Sequence, residues 1–150
     1  SPSISLVKPG ARLLDMGCGS GILSVAAHML GAEDVTAVDI DPNAVRIAAE
    51  NAEKNGFALH TGVGDVIGDA ELSARIGGEY DIIVANIVAD VIMGMQDILK
   101  SKLKREGTLI VSGIIAPRAD EVQASLLGAG FVLDRRDQSG DWVAMTLHQA

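Results

Sequence analysis

The glycine-rich segment from Asp15 to Gly21 limits the possible folds of this chain more than any other feature. It begins at the end of the short apolar run Arg12–Met16 and leads into a helical pattern over Ser20–Leu30. Glycine has no Cβ, so the backbone can turn tightly and a ligand can lie against it, and free N–H groups at the start of a helix suit a carboxylate. A tight turn that merely needs small residues, Cys18 among them, is the alternative. We predict that this segment binds a ligand through Asp15, Gly17, Cys18, Gly19, Ser20 and Gly21.

The rest of the chain alternates short apolar runs with helical patterns, and no internal repeat is visible. This alternation predicts right-handed crossovers and a parallel sheet covered by helices on both faces. The polar loop at 138–141 predicts that the last two strands form an antiparallel hairpin. We therefore predict one α/β domain over 1–150, with a doubly wound, seven-stranded, mostly parallel sheet. The predicted strands are Arg12–Met16, Val35–Ile40, Phe57–Thr61, Tyr80–Asn86, Thr108–Ile115, Phe131–Arg136 and Trp142–Leu147.

In such sheets ligands bind beyond the carboxyl ends of the strands, so the polar residues just after strands are candidate site residues. Asp39 ends the second predicted strand, where a carboxylate can accept hydrogen bonds from both hydroxyls of a ribose. Ile40 follows and can lie against a flat base. Asp41 precedes Pro42, and this order predicts that Asp41 caps the next helix instead.

Two further candidates follow the third and fourth predicted strands. Asp65, with Val66 beside it, can accept a hydrogen bond from an exocyclic amine of a purine, although a solvated acidic loop is the alternative. Asn86 ends an apolar strand, where a polar amide is costly unless it is paired. We predict that Asn86 contacts the group that reacts with the ligand; capping of the following helix is the alternative, and both roles are compatible.

Together these positions predict a binding site for an adenosyl amino acid. The glycine segment would hold the carboxylate and amine, Asp39 the ribose and Asp65 the base. A dinucleotide fits less well, because its Gly-x-Gly-x-x-Gly fingerprint would place the third glycine at Ile22. An acidic site also suits a positively charged sulfonium better than a pyrophosphate.

With these residues the chain resembles class I S-adenosylmethionine-dependent methyltransferases, over almost its whole length. More narrowly, it is similar to the catalytic domain of the PrmA type, which methylates amino groups of large-subunit ribosomal protein eleven. The resemblance implies a Rossmann-like fold, S-adenosylmethionine as cofactor, and Asn86 as the residue that orients a neutral amine. The segments that carry this resemblance are Leu13–Gly21, Val38–Pro42, Ala49-Glu50-Asn51-Ala52, Val84-Ala85-Asn86-Ile87, Ser112-Gly113-Ile114 and Asp141-Trp142-Val143-Ala144.

The chain departs from that type in front of Leu13. The N-terminal domain that grips the ribosomal protein, and a Gly-Thr-Gly-x-His-Pro-Thr segment, are missing from the 150 residues. We expect either an excised catalytic domain or a shorter relative. A class I methyltransferase acting on a small molecule and a non-catalytic module that binds S-adenosylmethionine remain the alternative functions.

Charge and composition limit the partners that the chain is expected to bind. The net charge of −8 opposes contact with phosphate backbones and favours a basic protein as partner, so we expect no direct nucleic-acid binding. The apolar runs are too short to span a membrane, and we expect no membrane partner. Three scattered histidines and the lone Cys18 predict no metal site. A single thiol without a signal sequence predicts a cytoplasmic location.

Overall fold

The structure, a computed structural model, describes residues 7–150; the first six residues of the predicted domain lie outside the described part. A single sheet of seven strands runs in the order β3-β2-β1-β4-β5-β7-β6. All neighbours pair in parallel except β7, which is antiparallel to both β5 and β6. The predicted doubly wound, mostly parallel sheet with a terminal hairpin is therefore confirmed. The strands are β1 (Arg12–Met16), β2 (Asp34–Asp39), β3 (His60–Val63), β4 (Tyr80–Asn86), β5 (Leu103–Ile115), β6 (Phe131–Ser139) and β7 (Trp142–Gln149).

Helices connect the strands and cover both faces of the sheet. Four residues of β4 in a row, from Ile82 to Ala85, are buried, which requires covered faces on both sides. Leu14 and Ile83 pack in one core cluster, and Leu13 and Val84 pack in the other. No helix in residues 7–150 is both long and apolar enough to cross a membrane. The helices are α1 (Ile22–Met29), α2 (Pro42–Lys54), α3 (Ala70–Ile76), α4 (Ala89–Lys102) and α5 (Ala119–Gly128), with a 3-10 turn at Ala116–Arg118.

The strand order reverses between β1 and β4, and this reversal positions the site. The chain runs outward from β1 through β2 to β3, and then returns to lay β4 on the other side of β1. The connections that follow β1 and β4 therefore diverge to opposite sides and leave a crevice at the carboxyl ends of the two strands. The glycine segment follows β1, and Asn86 ends β4, so both border that crevice.

Local differences from the predicted elements have identifiable causes. Helix α1 begins at Ile22 rather than Ser20, because Gly21 has a left-handed backbone with φ 80°. Strand β3 begins at His60 rather than Phe57, since the N–H of Phe57 donates to the carbonyl of Ala52 (3.1 Å) and closes α2. The whole of α3 was not predicted. Its seven residues bury only Leu72 and Ile76, which is too short a pattern for a helical period to emerge.

Candidate active site

A cavity of about 620 Å³ opens at the carboxyl ends of β1, β2 and β4. Seven of the predicted site residues line it: Gly17, Gly19, Asp39, Ile40, Asp65, Val66 and Asn86. The charged residues among those lining it are the carboxylates Asp39 and Asp65. The cavity is thus negatively charged and suits a cationic ligand. The cavity is not lined by the other predicted residues, which are Asp15 in β1 and Cys18, Ser20 and Gly21 in the glycine loop (residues 17–21) that follows β1.

The three glycines of the loop all have left-handed backbones, but they serve different purposes. A Cβ on Gly17 would lie 2.5 Å from Cγ2 of Ile87, and one on Gly21 would lie 2.8 Å from Cβ of Ala48. These two glycines therefore allow close packing against β4 and α2. A Cβ on Gly19 would meet nothing within 4 Å, although Gly19 borders the cavity. Gly19 is the position where a ligand can approach the backbone.

Asp39 holds the loop in place and also faces the cavity. Its Oδ2 accepts a hydrogen bond from the N–H of Gly19 (3.0 Å), and its Oδ1 accepts one from the N–H of Asp41 (3.0 Å). The side chain of Asp41 caps α2 by accepting from the N–H of Asn43 (2.9 Å), which confirms its predicted capping role. Ile40 is 74% exposed beside Asp39 and offers an apolar surface to the cavity.

Asp15 lies beneath the loop. Its side chain is fully buried, and its Oδ2 accepts a hydrogen bond from the hydroxyl of Ser24 on α1 (2.8 Å). Its Oδ1 has no hydrogen-bond partner among the described residues. Burial raises the pKa of Asp15 to about 6; the hydrogen bond from Ser24 opposes this rise, and the nearby charge of Asp39 adds to it. Among the described residues only one oxygen of this buried carboxylate is hydrogen-bonded, so Asp15 in its charged form lowers the stability of the fold.

Cys18 is a neutral side chain in this loop. It is buried, and burial raises the pKa of its thiol to about 12, with the charges of Asp15 and Asp39 adding to the effect. A thiol that stays protonated is a poor nucleophile and a poor metal ligand. In residues 7–150 no group of three His, Cys, Asp or Glu side chains is arranged to hold a metal ion.

Asp65 and Val66 form the wall of the cavity that follows β3. The Oδ1 of Asp65 accepts a hydrogen bond from the N–H of Ile67 (2.9 Å), and the backbone carbonyl of Asp65 accepts one from the N–H of Asp69 (2.8 Å). These bonds fix the loop while the carboxylate stays exposed at the cavity. Val66 is buried and packs in the core beneath it.

Asn86 borders two cavities. It lines the first, and it also lines a second of about 490 Å³ together with Leu23, Ser112, Gly113 and Trp142. Helix α4 begins at Ala89 after Val88, and no side chain caps it. The alternative role of Asn86 as a helix cap is therefore wrong. An amide at the junction of two cavities can contact a ligand in one and its reaction partner in the other.

Sequence reasoning missed several contributors to the site. Val88, Val91 and Met95 of the α4 segment line the first cavity, and Val88 is 63% exposed. Their helical spacing is the same as that of core residues, so only the fold reveals which way they face. Asn51 was named only as part of a segment that carries the family resemblance, without a role: its Nδ2 donates to the carbonyl of Ser20 (2.8 Å) and ties α2 to the glycine loop.

The chain matches the family model described as ribosomal protein L11 methyltransferase (PrmA) over residues 4–150. It is 46% identical over 139 residues to the ribosomal protein L11 methyltransferase of Pelotomaculum thermopropionicum, covering 93% of this chain and 44% of that protein. It is 45% identical over 141 residues to that of Acetivibrio thermocellus, covering 94% and 44%. The chain thus spans less than half the length of these curated relatives.

Solved structures show the same fold. The ribosomal protein L11 methylase of Lactobacillus delbrueckii subsp. bulgaricus superposes with a TM-score of 0.86 at 33% identity, over 97% of this chain and 72% of that chain. Magnesium protoporphyrin IX methyltransferase of Synechocystis, solved with bound S-adenosylmethionine, superposes with a TM-score of 0.75 at 22% identity, over 95% and 71%. At that identity the second likeness concerns the fold alone.

Proposed function

Because the chain belongs to the ribosomal protein L11 methyltransferase (PrmA) family, we propose that it binds S-adenosylmethionine and methylates amino groups of a ribosomal protein. The observation that supports this most strongly is that one cavity, the first of the two described above, is lined by the glycine loop, Asp39, Asp65 and Asn86 together. The N-terminal amine or lysine side chains of the protein substrate would be the acceptors. Activity on a ribosomal protein would place the enzyme in the cytoplasm.

The residues present fit this cofactor. Open backbone at Gly19 and the start of α1 would receive the amino-acid part, and Asp39 would accept from the ribose hydroxyls. Ile40 would lie against the adenine, and Asp65 would accept from its exocyclic amine. The two carboxylates would also attract the positive charge of the sulfonium.

The bound cofactor would supply a methyl group on a positively charged sulfur. The chain's own contribution would be to position the amine. Holding two reactants in the reacting geometry can remove a large part of the activation free energy. A lysine amine has an ordinary pKa near 10.4 and must be neutral to attack, so its proton would pass to water first. Asn86 would then accept one remaining N–H and point the nitrogen lone pair toward the first cavity.

A labelling experiment tests this proposal. The chain is incubated with S-adenosylmethionine labelled in its methyl group and with large-subunit ribosomal proteins that lack methylation. In a second arm the chain replaces the matching 139 residues of the Pelotomaculum protein. We expect label in one ribosomal protein, with a rate about a hundredfold lower for Asn86→Ala. The matched control Asn55→Ala, an exposed asparagine that ends α2, should keep the rate.

Three outcomes would contradict the proposal or part of it. Binding of the cofactor without label in any protein, in both arms, would favour a non-catalytic module. If the chain labels small molecules of a cell extract in a further arm, and labels no protein in any arm, the assignment of a protein substrate is overturned. Equal rates for Asn86→Ala and Asn55→Ala would remove Asn86 from the reaction.

A further inference from the structure

We infer that Ser112 is a positioning residue: its hydroxyl, next to the space left by Gly113, fixes the amide oxygen of Asn86 at the junction of the two cavities. The inference rests on the proposed function and deepens it, because it assigns an orientation to the group that would meet the amine.

The first observation is the pairing of Ser112 with Asn86. The two residues lie side by side in the parallel register of β4 and β5. The hydroxyl of Ser112 donates a hydrogen bond to Oδ1 of Asn86 at 3.2 Å. Ser112 is only 8% exposed whereas Asn86 is exposed, so the hydroxyl holds the amide from its buried side.

The second observation is Gly113, whose φ is 76°. A Cβ at this position would lie 2.6 Å from Oδ1 of Asn86, which is closer than any real contact allows. The pairing of β5 with β7 shifts register between Val111 and Ile114, so the strand is irregular where Ser112 and Gly113 lie. The backbone of β5 thus departs from regular pairing at the place where it makes room for the amide oxygen.

The hydrogen bond from Ser112 and the space beside Gly113 determine which atom of Asn86 an amine meets in the second cavity. Ser112 and Gly113 both line that cavity, so the amide oxygen lies on its side of the junction. A carbonyl oxygen has two lone pairs, and the one left free by Ser112 can accept an N–H from a neutral amine. Without the hydroxyl, the amide can rotate and present its NH₂ group, which cannot accept a hydrogen bond.

The test compares Ser112→Ala with Ser112→Thr, which restores a hydroxyl, and with Ser101→Ala, which removes an exposed serine hydroxyl from α4. One readout needs no turnover: ¹⁵N relaxation of the side-chain amide of Asn86 in the complex with S-adenosylhomocysteine. We expect a rigid amide in the wild type, Ser112→Thr and Ser101→Ala, and a mobile one in Ser112→Ala. The affinity for S-adenosylhomocysteine should change in none of them.

The second readout is methyl transfer. We expect kcat of Ser112→Ala to fall about fivefold, the size of one ordinary hydrogen bond, with recovery in Ser112→Thr. An amide that stays rigid in Ser112→Ala, or a loosened amide with the kcat of Ser101→Ala, would overturn the inference. If the wild type labels no protein in either arm of the labelling experiment, the proposed function is contradicted instead, and the relaxation of the amide then decides the inference alone.

Discussion

Replacing Asp15 by asparagine should change how the stability of the fold depends on pH. Burial raises the pKa of Asp15 from its ordinary value of 3.8 to about 6. Between these values the folded chain holds a proton that the unfolded chain has lost, so stability falls as the pH rises. Above pH 7 the ionised Asp15 lowers the free energy of unfolding by about 3 kcal/mol, at 1.36 kcal/mol for each pH unit between the two pKa values. The amide introduced by Asp15→Asn would not titrate, so this cost would vanish from the variant.

The measurement is the free energy of unfolding in urea, followed by circular dichroism, for the wild type and Asp15→Asn between pH 4 and 7.5. The isoelectric point near 4.7 lies within this range, and a protein with a net charge near zero tends to associate, so the protein is kept dilute. The difference between the two proteins should shift in favour of the variant by about 2.5 kcal/mol over this range. Any constant effect of the buried amide group cancels in that shift.

The matched control is Asp41→Asn, which alters an exposed carboxylate near the same loop and keeps an acceptor for the N–H of Asn43. This variant retains Asp15, so the loss of stability that Asp15 causes as the pH rises should remain in it. If the difference for Asp15→Asn shifts by under about 1 kcal/mol, Asp15 does not titrate as its burial implies, and the reasoning about its cost is refuted.

Three further predictions concern the glycine loop and the start of α2. Gly19→Ala and Gly56→Ala both place a side chain on a left-handed backbone with open space around it, at a similar cost of about 1 kcal/mol. Calorimetry with S-adenosylhomocysteine should show weaker binding for Gly19→Ala alone; equal affinities would mean that no ligand approaches Gly19. Cys18 should resist iodoacetamide at pH 8 until the chain is unfolded in urea, as mass spectrometry can show; rapid native labelling would contradict its raised pKa. Asp41→Ala should lower the free energy of unfolding by about 1 kcal/mol, through loss of the helix cap, and leave ligand affinity unchanged.

The sequence predicts the parts of the fold whose signals are local. The continuous apolar run of Ile82–Ala85 identified a strand buried on both faces, and the pair Asp41-Pro42 identified the start of α2. Each of these signals depends on neighbours within one element. The boundary of β3 was misplaced because Phe57 closes α2, which depends on how the chain leaves the helix.

Within the site, sequence reasoning identified polar residues at strand ends but not the surfaces around them. Val88 and Val91 have the spacing of core residues, and only the packing of α4 shows that they face a cavity. The contact of Ser112 with Asn86 depends on the register between β4 and β5, which no local pattern specifies. Asp15 was predicted to bind the ligand; the structure places it behind the loop, bonded to Ser24.

Isothermal titration of S-adenosylhomocysteine into the chain tests the central claim most directly. We predict binding of one molecule per chain and no heat with NADH. Affinity for S-adenosylhomocysteine should fall about tenfold to a hundredfold in Asp39→Ala, because hydrogen bonds to a charged group are lost, and should stay unchanged in Asp41→Ala. No binding of S-adenosylhomocysteine, or equal affinity in Asp39→Ala and the wild type, would contradict a cofactor site at this edge of the sheet.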